Sequence, residues 1–408
     1  MKTAKFILLL LIYIFEARAK ISGCTDIKAI NYNPVATLND GSCMYPGANI
    51  APQTSLNLSS DLVETSGLIH WNNALLSHND DTNNKLYAVD TATGVVAQSY
   101  TLTGTVNKDW EEIAQDDNYI YVGDFGNNSS GNRKDLHILR VSKNTLLLNN
   151  PAIDTIFFSY DNQTNFTATA ANSTDFDCEA FLVTSDSIYL FTKQWISEKT
   201  SIYAIPKIPG TYTAALRSTI NIQGLATGIT YLESQRLAVL VGYSKLLQPF
   251  FYLLYDFRNN DFANGNKRKI TINLLFHQIE GIATANGLKY YVTNENLTSP
   301  FSIPQKLHTF DLSGVLGPYL NSVITGITHI KKQSNLSIFP NPTGNFVQIE
   351  VPIELIGLNC SIYDVSGKII KSVILATRLN IIDTQAFPSG IYFLQIDGQE
   401  QDASFIKQ

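Results

Sequence analysis

The stretch Asp109-Trp110-Glu111-Glu112-Ile113-Ala114, followed by Tyr119-Ile-Tyr-Val-Gly-Asp124 and then Leu136-His-Ile-Leu-Arg140, decides the fold. It has three parts: a small or acidic residue leading into apolar ones, an apolar strand ending in polar groups, and a second strand. The same order recurs around Ser66-Gly67-Leu68, Glu179-Ala180-Phe181, Thr227-Gly228-Ile229 and Glu280-Gly281-Ile282-Ala283, with leading residues 45 to 68 positions apart. Each is followed by an apolar strand (74–80, 188–193, 237–243, 289–295) and a further one (85–90, 201–205, 251–255, 307–311). A multi-stranded unit repeated every 40 to 50 residues or so is the signature of a propeller.

A fourth strand follows four of the units, at 95–102, 154–160, 216–222 and 269–275, and the last unit lacks one. The unassigned run Ser55-Leu-Asn-Leu-Ser precedes the first unit, and a propeller closes its ring when one blade takes strands from both termini. The expectation is an all-β propeller of four-stranded blades over residues 51–312. Five blades are counted, with a sixth left open by the long segment 141–175.

Several blocks, among them Ser77-His78-Asn79-Asp80, Asp109 to Ala114, Tyr121 to Asn128 and Asp177-Cys178-Glu179-Ala180, resemble those of a large group of bacterial secreted propellers whose chemistry is mostly uncharacterised. The resemblance supports a fold and names no reaction.

The tail carries an address. Leu336-Ser-Ile-Phe-Pro340-Asn341-Pro342-Thr-Gly344, Cys360-Ser-Ile-Tyr363-Asp364-Val-Ser-Gly367-Lys368, Phe387-Pro-Ser-Gly390-Ile-Tyr392-Phe-Leu and Phe405-Ile-Lys407-Gln408 resemble the C-terminal sorting domain of type IX secretion cargo. That resemblance implies recognition of residues 336–408 by the type IX machinery and export to the cell surface or the medium. Short β-branched runs between Asn-Pro and Ser-Gly punctuation give the tail the pattern of a small immunoglobulin-like sandwich.

The start of the chain agrees. A basic Met1 to Lys5, an apolar run from Phe6 to Phe15 and the small-x-small site Ala17-Arg-Ala19 read as a signal peptide over 1–19. No stretch is long and apolar enough for a transmembrane helix. A net charge of -6 with only 16% charged residues disfavours nucleic acid as a partner. Residues 313–335 are expected to be a linker.

Four cysteines in an exported chain invite pairing. Cys24 and Cys43 are read as one disulfide closing a small module over 20–50, which resembles a short unit of secreted Bacteroidetes proteins. Asp26, Asn31, Asn33 and Asp40 within it suit either calcium or local turns. Cys178 and Cys360 are expected to be unpaired.

The leading column supplies the candidate chemistry. Equivalent residues of each blade face one axial tunnel, so Glu111, Glu179 and Glu280 are expected to converge, with Ser66 and Thr227 between them. Crowded carboxylates need neutralising, either by a cation such as calcium or by Arg133 and Arg140. Asp124, Asn79, Asn294, Lys193 and Tyr243, at the strand ends, are candidates to face a ligand, and Trp71, Trp110 and Trp195 to contact it. His78 is the best general base, with Asp124 its companion, if the protein is a metal-assisted hydrolase of the lactonase, esterase or phosphatase kind. No Gly-x-Ser-x-Gly, His-Glu-x-x-His or phosphate loop is present, which disfavours serine hydrolase, zincin and nucleotide chemistry. Its rivals are a binding module and a structural spacer.

Overall fold

A computed structural model describes residues 20–80, 83–299, 302–326, 337–351, 355–396 and 402–408. The chain divides into two units, 1–320 and 321–408. The expected signal peptide and the end of the expected linker lie outside the described residues.

In the first unit, five antiparallel meanders of four strands follow one another. They are Thr65–Trp71, Ala74–Asn79, Lys85–Val89 and Val96–Thr101; Trp110–Gln115, Tyr119–Asp124, His137–Ser142 and Ile153–Tyr160; Asp177–Val183, Ser187–Lys193, Thr200–Pro206 and Gly210–Ile220; Leu225–Leu232, Leu237–Tyr243, Pro249–Tyr255 and Asn266–Ile272; and Ile279–Thr284, Lys289–Asn294 and Lys306–Asp311 completed by Thr54–Asn57. The first strand of each sheet packs on the first strand of the next, and the fifth packs on the first, so the inner strands form a closed, propeller-like ring.

Ring closure works as the sequence implies. Thr54–Asn57, from before the first sheet, pairs antiparallel with Lys306–Asp311 of the last. Two further seams tie the sheets together. Ile153–Tyr160 pairs in parallel with Gly210–Ile220, joining the second and third sheets, and Asn49–Ile50 adds to the outer edge of the fourth. Segment 141–175 holds a short helix, Lys143–Leu147, and one strand, with no further sheet among the described residues.

The column that repeats in the sequence marks a repeating bulge, which falls on the column residue in four inner strands and one place later, on Gly67 after Ser66, in the first. Along each inner strand the pairing with its neighbour skips one residue: Gly67, Glu111, Glu179, Thr227 and Glu280. An extra residue twists the strand and re-aims the side chain beside it, which is why this position recurs. Gly67 adopts φ +53°, and a Cβ there would lie 2.7 Å from the Ile113 backbone nitrogen. Large apolar side chains fill the space between sheets: Trp110, Phe125, Phe181, Phe191, Phe251 and Tyr290 are fully buried.

The module before the ring is docked on it. Cys24 and Cys43 are bonded, Asp26 accepts hydrogen bonds from Tyr45 Oη at 2.8 Å and Tyr255 Oη at 2.6 Å, and Asn39 Nδ2 donates to Asp256 at 2.9 Å. Asp26, Asn33 and Asp40 accept backbone N–H groups two residues on, and Asn31 accepts from Met44 N. These Asx groups therefore serve turns, the local alternative to calcium. Cys178 and Cys360 are unpaired and buried.

The segment expected to be a linker opens as a helix, Ser313–Gly326, whose Leu316 and Leu320 are buried against the fourth and fifth sheets. Its i, i+4 apolar pair gives it a packing face that the surrounding Gly and Pro obscure in the sequence.

The second unit is two sheets around one core. Ser337–Phe339, Phe346–Glu350 and Leu379–Asp383 form the first; Ile369–Ile374, Asn359–Asp364, Gly390–Ile396 and Asp402–Lys407 form the second. Alternate residues Val347 and Ile349, Cys360 and Ile362, Tyr392 and Leu394 point into the shared core. No helix among the described residues is long and apolar enough to cross a membrane.

Candidate functional site

The ring of bulges divides the axial tunnel. On one side the residues two places after the repeating column, Leu68, Ile113, Phe181 and Ile229 among them, line a narrow cavity of about 130 Å³. Beside the bulges the Glu112 side chain is buried inside the ring. Its position holds Gly67, Ala180, Gly228 and Gly281 in the other sheets, so four small residues make room for one large one. Glu112 Oε1 accepts the Ile113 N–H at 2.9 Å, and Oε2 reaches across the ring to the Ile229 N–H at 2.7 Å. A Cβ on Gly67 would come within 2.9 Å of Oε1. Burial drives the Glu112 carboxyl well above the usual range, against the pull of these backbone donors.

The other side of the ring is acidic. Glu111, Asp177 and Glu179 are buried, and each has a carboxylate oxygen within 4.8 Å of the others. A second trio, Glu64, Asp80 and Glu295, is half-buried and equally close. Acidic residues thus cluster where a metal ion can be held. Glu111 and Asp177 are pushed well above the ordinary carboxylate range, first by burial and then by repulsion from Glu179 and each other. Asp109, raised to about 6 for the same reasons, borders the group. Gly126 lets the group close up, since a Cβ there would lie 2.0 Å from Glu111 Oε1 and 2.4 Å from Asp109 Oδ2.

Among the described residues Lys193 reaches this trio, while Arg133 Nη1 stands 3.9 Å from Asp109 Oδ2 at its border. Lys193 Nζ lies 3.1 Å from Glu179 Oε1, 4.7 Å above the Trp195 ring and 5.3 Å from that of Tyr243. Asp177 is fixed by Asn127 N at 2.6 Å and Trp195 Nε1 at 2.8 Å.

The expected trio of Glu111, Glu179 and Glu280 is not what the ring assembles. Glu111 and Glu179 meet, but their third partner is Asp177. Glu280 turns toward Lys193, Tyr243 and Glu295, where burial raises its carboxyl to about 8. Ser66 and Thr227 bond backbone instead: Ser66 Oγ donates to Glu111 O at 2.5 Å and Thr227 Oγ1 to Ile279 O, each tying a sheet to the next.

The general-base expectation fails on burial. His78 is fully enclosed, edge-on to Trp110 at 5.7 Å, with Nδ1 3.0 Å from Asn79 O, and desolvation lowers it to about 4. It is a neutral packing group. Asp124 is fully buried, with Oδ1 2.6 Å from Arg133 Nη2 and Oδ2 accepting the Lys108 N–H at 3.0 Å. Asn79 and Asn294 do not face a ligand either. Asn79 binds Glu64 N and Asp61 O, while Asn294 binds Glu295 O, Pro304 O and His308 Nε2. Lys193 and Tyr243 do face the acidic space. Arg140 lies outward, paired with Asp154. Of the tryptophans, Trp110 is core, and Trp71 packs on Tyr100.

Sequence reasoning missed Asp109, Asp177, Glu64, Glu295 and the role of Glu112. A signal existed for the first two: Asp-x-Glu occurs in both Asp109-Trp-Glu111 and Asp177-Cys-Glu179, placing two acids on one face of adjacent inner strands.

Comparison with known proteins adds the decisive observation: residues 337–408 match the family described as the Secretion system C-terminal sorting domain. The chain is a type IX secretion cargo. It is exported to the cell surface or extracellular space. No curated protein matches the sequence. Among solved structures it is similar to PorZ, described as an essential surface component of the type IX secretion system of Porphyromonas gingivalis, at 13% identity over 84% of this chain, with TM-score 0.30. The chain spans 45% of that protein's length. A streptogramin B lyase is similar at 10% identity, covering 87% of each chain, TM-score 0.31, and a chain of the mitotic checkpoint complex at 9%, covering 69% of this chain and 99% of that one, TM-score 0.35.

Proposed function

We propose that this cargo is a five-bladed propeller over 51–312, preceded by the disulfide module and followed by an immunoglobulin-like sorting sandwich, and that it binds an extracellular ligand at the acidic end of its tunnel. A calcium ion held by Glu111, Asp177 and Glu179 organises that end. The observation that carries this reading is the meeting of three buried carboxylates served by one ammonium, Lys193. Buried charge of one sign calls for a counter-ion or for protons, and a hard cation with oxygen ligands suits a ring of carboxylates.

Binding is favoured over hydrolysis because the two groups nominated for acid–base work, His78 and Asp124, are committed to internal contacts. Glu112, buried and bonded across the ring to Ile229 N, supports reading the acidic end as a basin rather than a passage. Metal content measured by elemental analysis of purified protein tests the reading. Calcium is expected in wild type and reduced in Glu111→Gln; equal content in the two removes the ion from this trio.

A further inference from the structure

We propose that the gap between the first and second sheets, toward their outer strands, is a binding groove for a neutral saccharide chain. It is separate from the acidic end of the tunnel and does not depend on what binds there.

The groove follows from how the sheets are joined. The outer strand of the second sheet, Ile153–Tyr160, is drawn to the third by its parallel pairing with Gly210–Ile220. The outer strand of the first sheet, Val96–Thr101, pairs only with Lys85–Val89 among the described residues. No strand therefore bridges the first sheet to the second at their outer ends, and the connection 103–108 lines the gap without filling it. A cavity of about 830 Å³ remains, within the range of roughly 300–1,000 Å³ that ligand sites occupy. A further hollow of about 280 Å³ shares Thr103 and Pro151 with it and is bordered by Ser99, Tyr100 and Thr101. Together they make an elongated groove, suited to a chain of rings.

Its walls differ in chemistry. One is a face of the second sheet, where cross-strand pairing sets His137 beside Phe157 and Leu139 beside Thr155. Phe157 is 43% exposed, and the His137 ring lies against it at 5.5 Å with 38° between the planes. This pair is an open aromatic platform, the kind of surface on which the C–H face of a sugar ring packs. The other wall is polar, with Thr103, Thr105, Asn107 and Lys108 from the connection. Hydroxyls such as those of Thr103 and Thr155 both donate and accept, and His137 Nδ1 donates to Asp135 O at 2.8 Å, which leaves Nε2 for an outside partner.

Charge narrows the ligand class. Lys108 Nζ stands 2.8 Å from Asp135 Oδ2, and the buried Asp124 is held by Arg133 at 2.6 Å. Each carboxylate and ammonium lining the cavity thus has its opposite beside it, so neither an anion nor a cation is drawn in. A lipid would leave the polar wall without partners. The larger hollow touches no residue of the free edge 96–101, so it offers an extended peptide no strand to pair with. A neutral molecule with apolar ring faces and a rim of hydroxyls satisfies both walls, and that describes a saccharide.

Saturation-transfer difference NMR on the full-length protein tests this, with cellohexaose, laminarihexaose, maltohexaose and mannohexaose as probes and a Gly-Ser hexapeptide as the competing chain. Transfer to the ring C–H protons of at least one hexaose is expected, with its dissociation constant raised about tenfold in Phe157→Ala and also raised in Asp135→Asn. Both side chains are partly exposed, and the melting temperature checks that the variants fold; Phe157→Leu replaces the first if it does not. No transfer to any hexaose, transfer to the hexapeptide alone, or hexaose binding undiminished in both variants overturns the groove.

Discussion

Lys193 Nζ stands 3.1 Å from Glu179 Oε1, with the two side chains only 4% and 2% exposed. This pair is the chain's own partial answer to a basin of acids, and it is brittle. Replacing Lys193 with Met leaves Glu179 buried among Asp177, Glu111 and Glu280 with no ammonium. Removing one partner of a buried pair costs about 3–5 kcal/mol. Urea unfolding of Lys193→Met should show that loss, and the double variant with Glu179→Gln should recover part of it. Equal stability of Lys193→Met and wild type would mean that other groups neutralise Glu179.

The basin also predicts how stability depends on pH. Glu280 and Glu295, ordinarily near 4.5, are raised to about 8, chiefly by burial. A group raised on folding stabilises most below its unfolded value, and that stability is lost as pH rises through the folded value. Chelated protein should therefore lose melting temperature between pH 4.5 and 8. A chelated melting curve that rises over this window would contradict the raised values.

Gly67 makes a third case. Its φ of +53° and the 2.7 Å approach to Ile113 N leave no room for a methyl group. Gly67→Ala should cost about 1–3 kcal/mol through backbone strain alone, read as a lower denaturation midpoint with an unchanged slope.

The disulfide closes a loop with a sequence separation of 19. A loop of this size stabilises by about 3 kcal/mol in the chain-entropy model. Cys24→Ser with Cys43→Ser should lower the melting temperature and loosen the Asp26 contacts with Tyr45 and Tyr255. Cys178, enclosed between the sheets, should react with alkylating reagents only after unfolding; labelling of the native protein would place it at the surface.

The fold was legible because repetition exposes it. A bulge at one position of every inner strand demands small or acidic residues there, and the missing fourth strand of the last unit matched the spare strand at 55–59. The tail was legible because its strands alternate cleanly and its turn motifs keep their order. The site was only half legible. Column alignment puts Glu111, Glu179 and Glu280 at one level of the ring, but side-chain direction is set by what each meets: Lys193 and Tyr243 draw Glu280 aside, while Asp177 enters from two residues before Glu179. His78 reads as a loop histidine, yet the register of its strand places it inward against Trp110. Glu112 was hidden because its neighbour Glu111 occupied the column being followed.

The most direct test of the account is the melting temperature of the protein with and without a calcium chelator. At a hundredfold excess over its dissociation constant, an ion bound only by the folded state adds about 2.7 kcal/mol. The account predicts a lower melting temperature on chelation, restored by calcium and no longer responsive to either in Glu111→Gln. Melting indifferent to the chelator, in protein shown by elemental analysis to carry no metal, would contradict it.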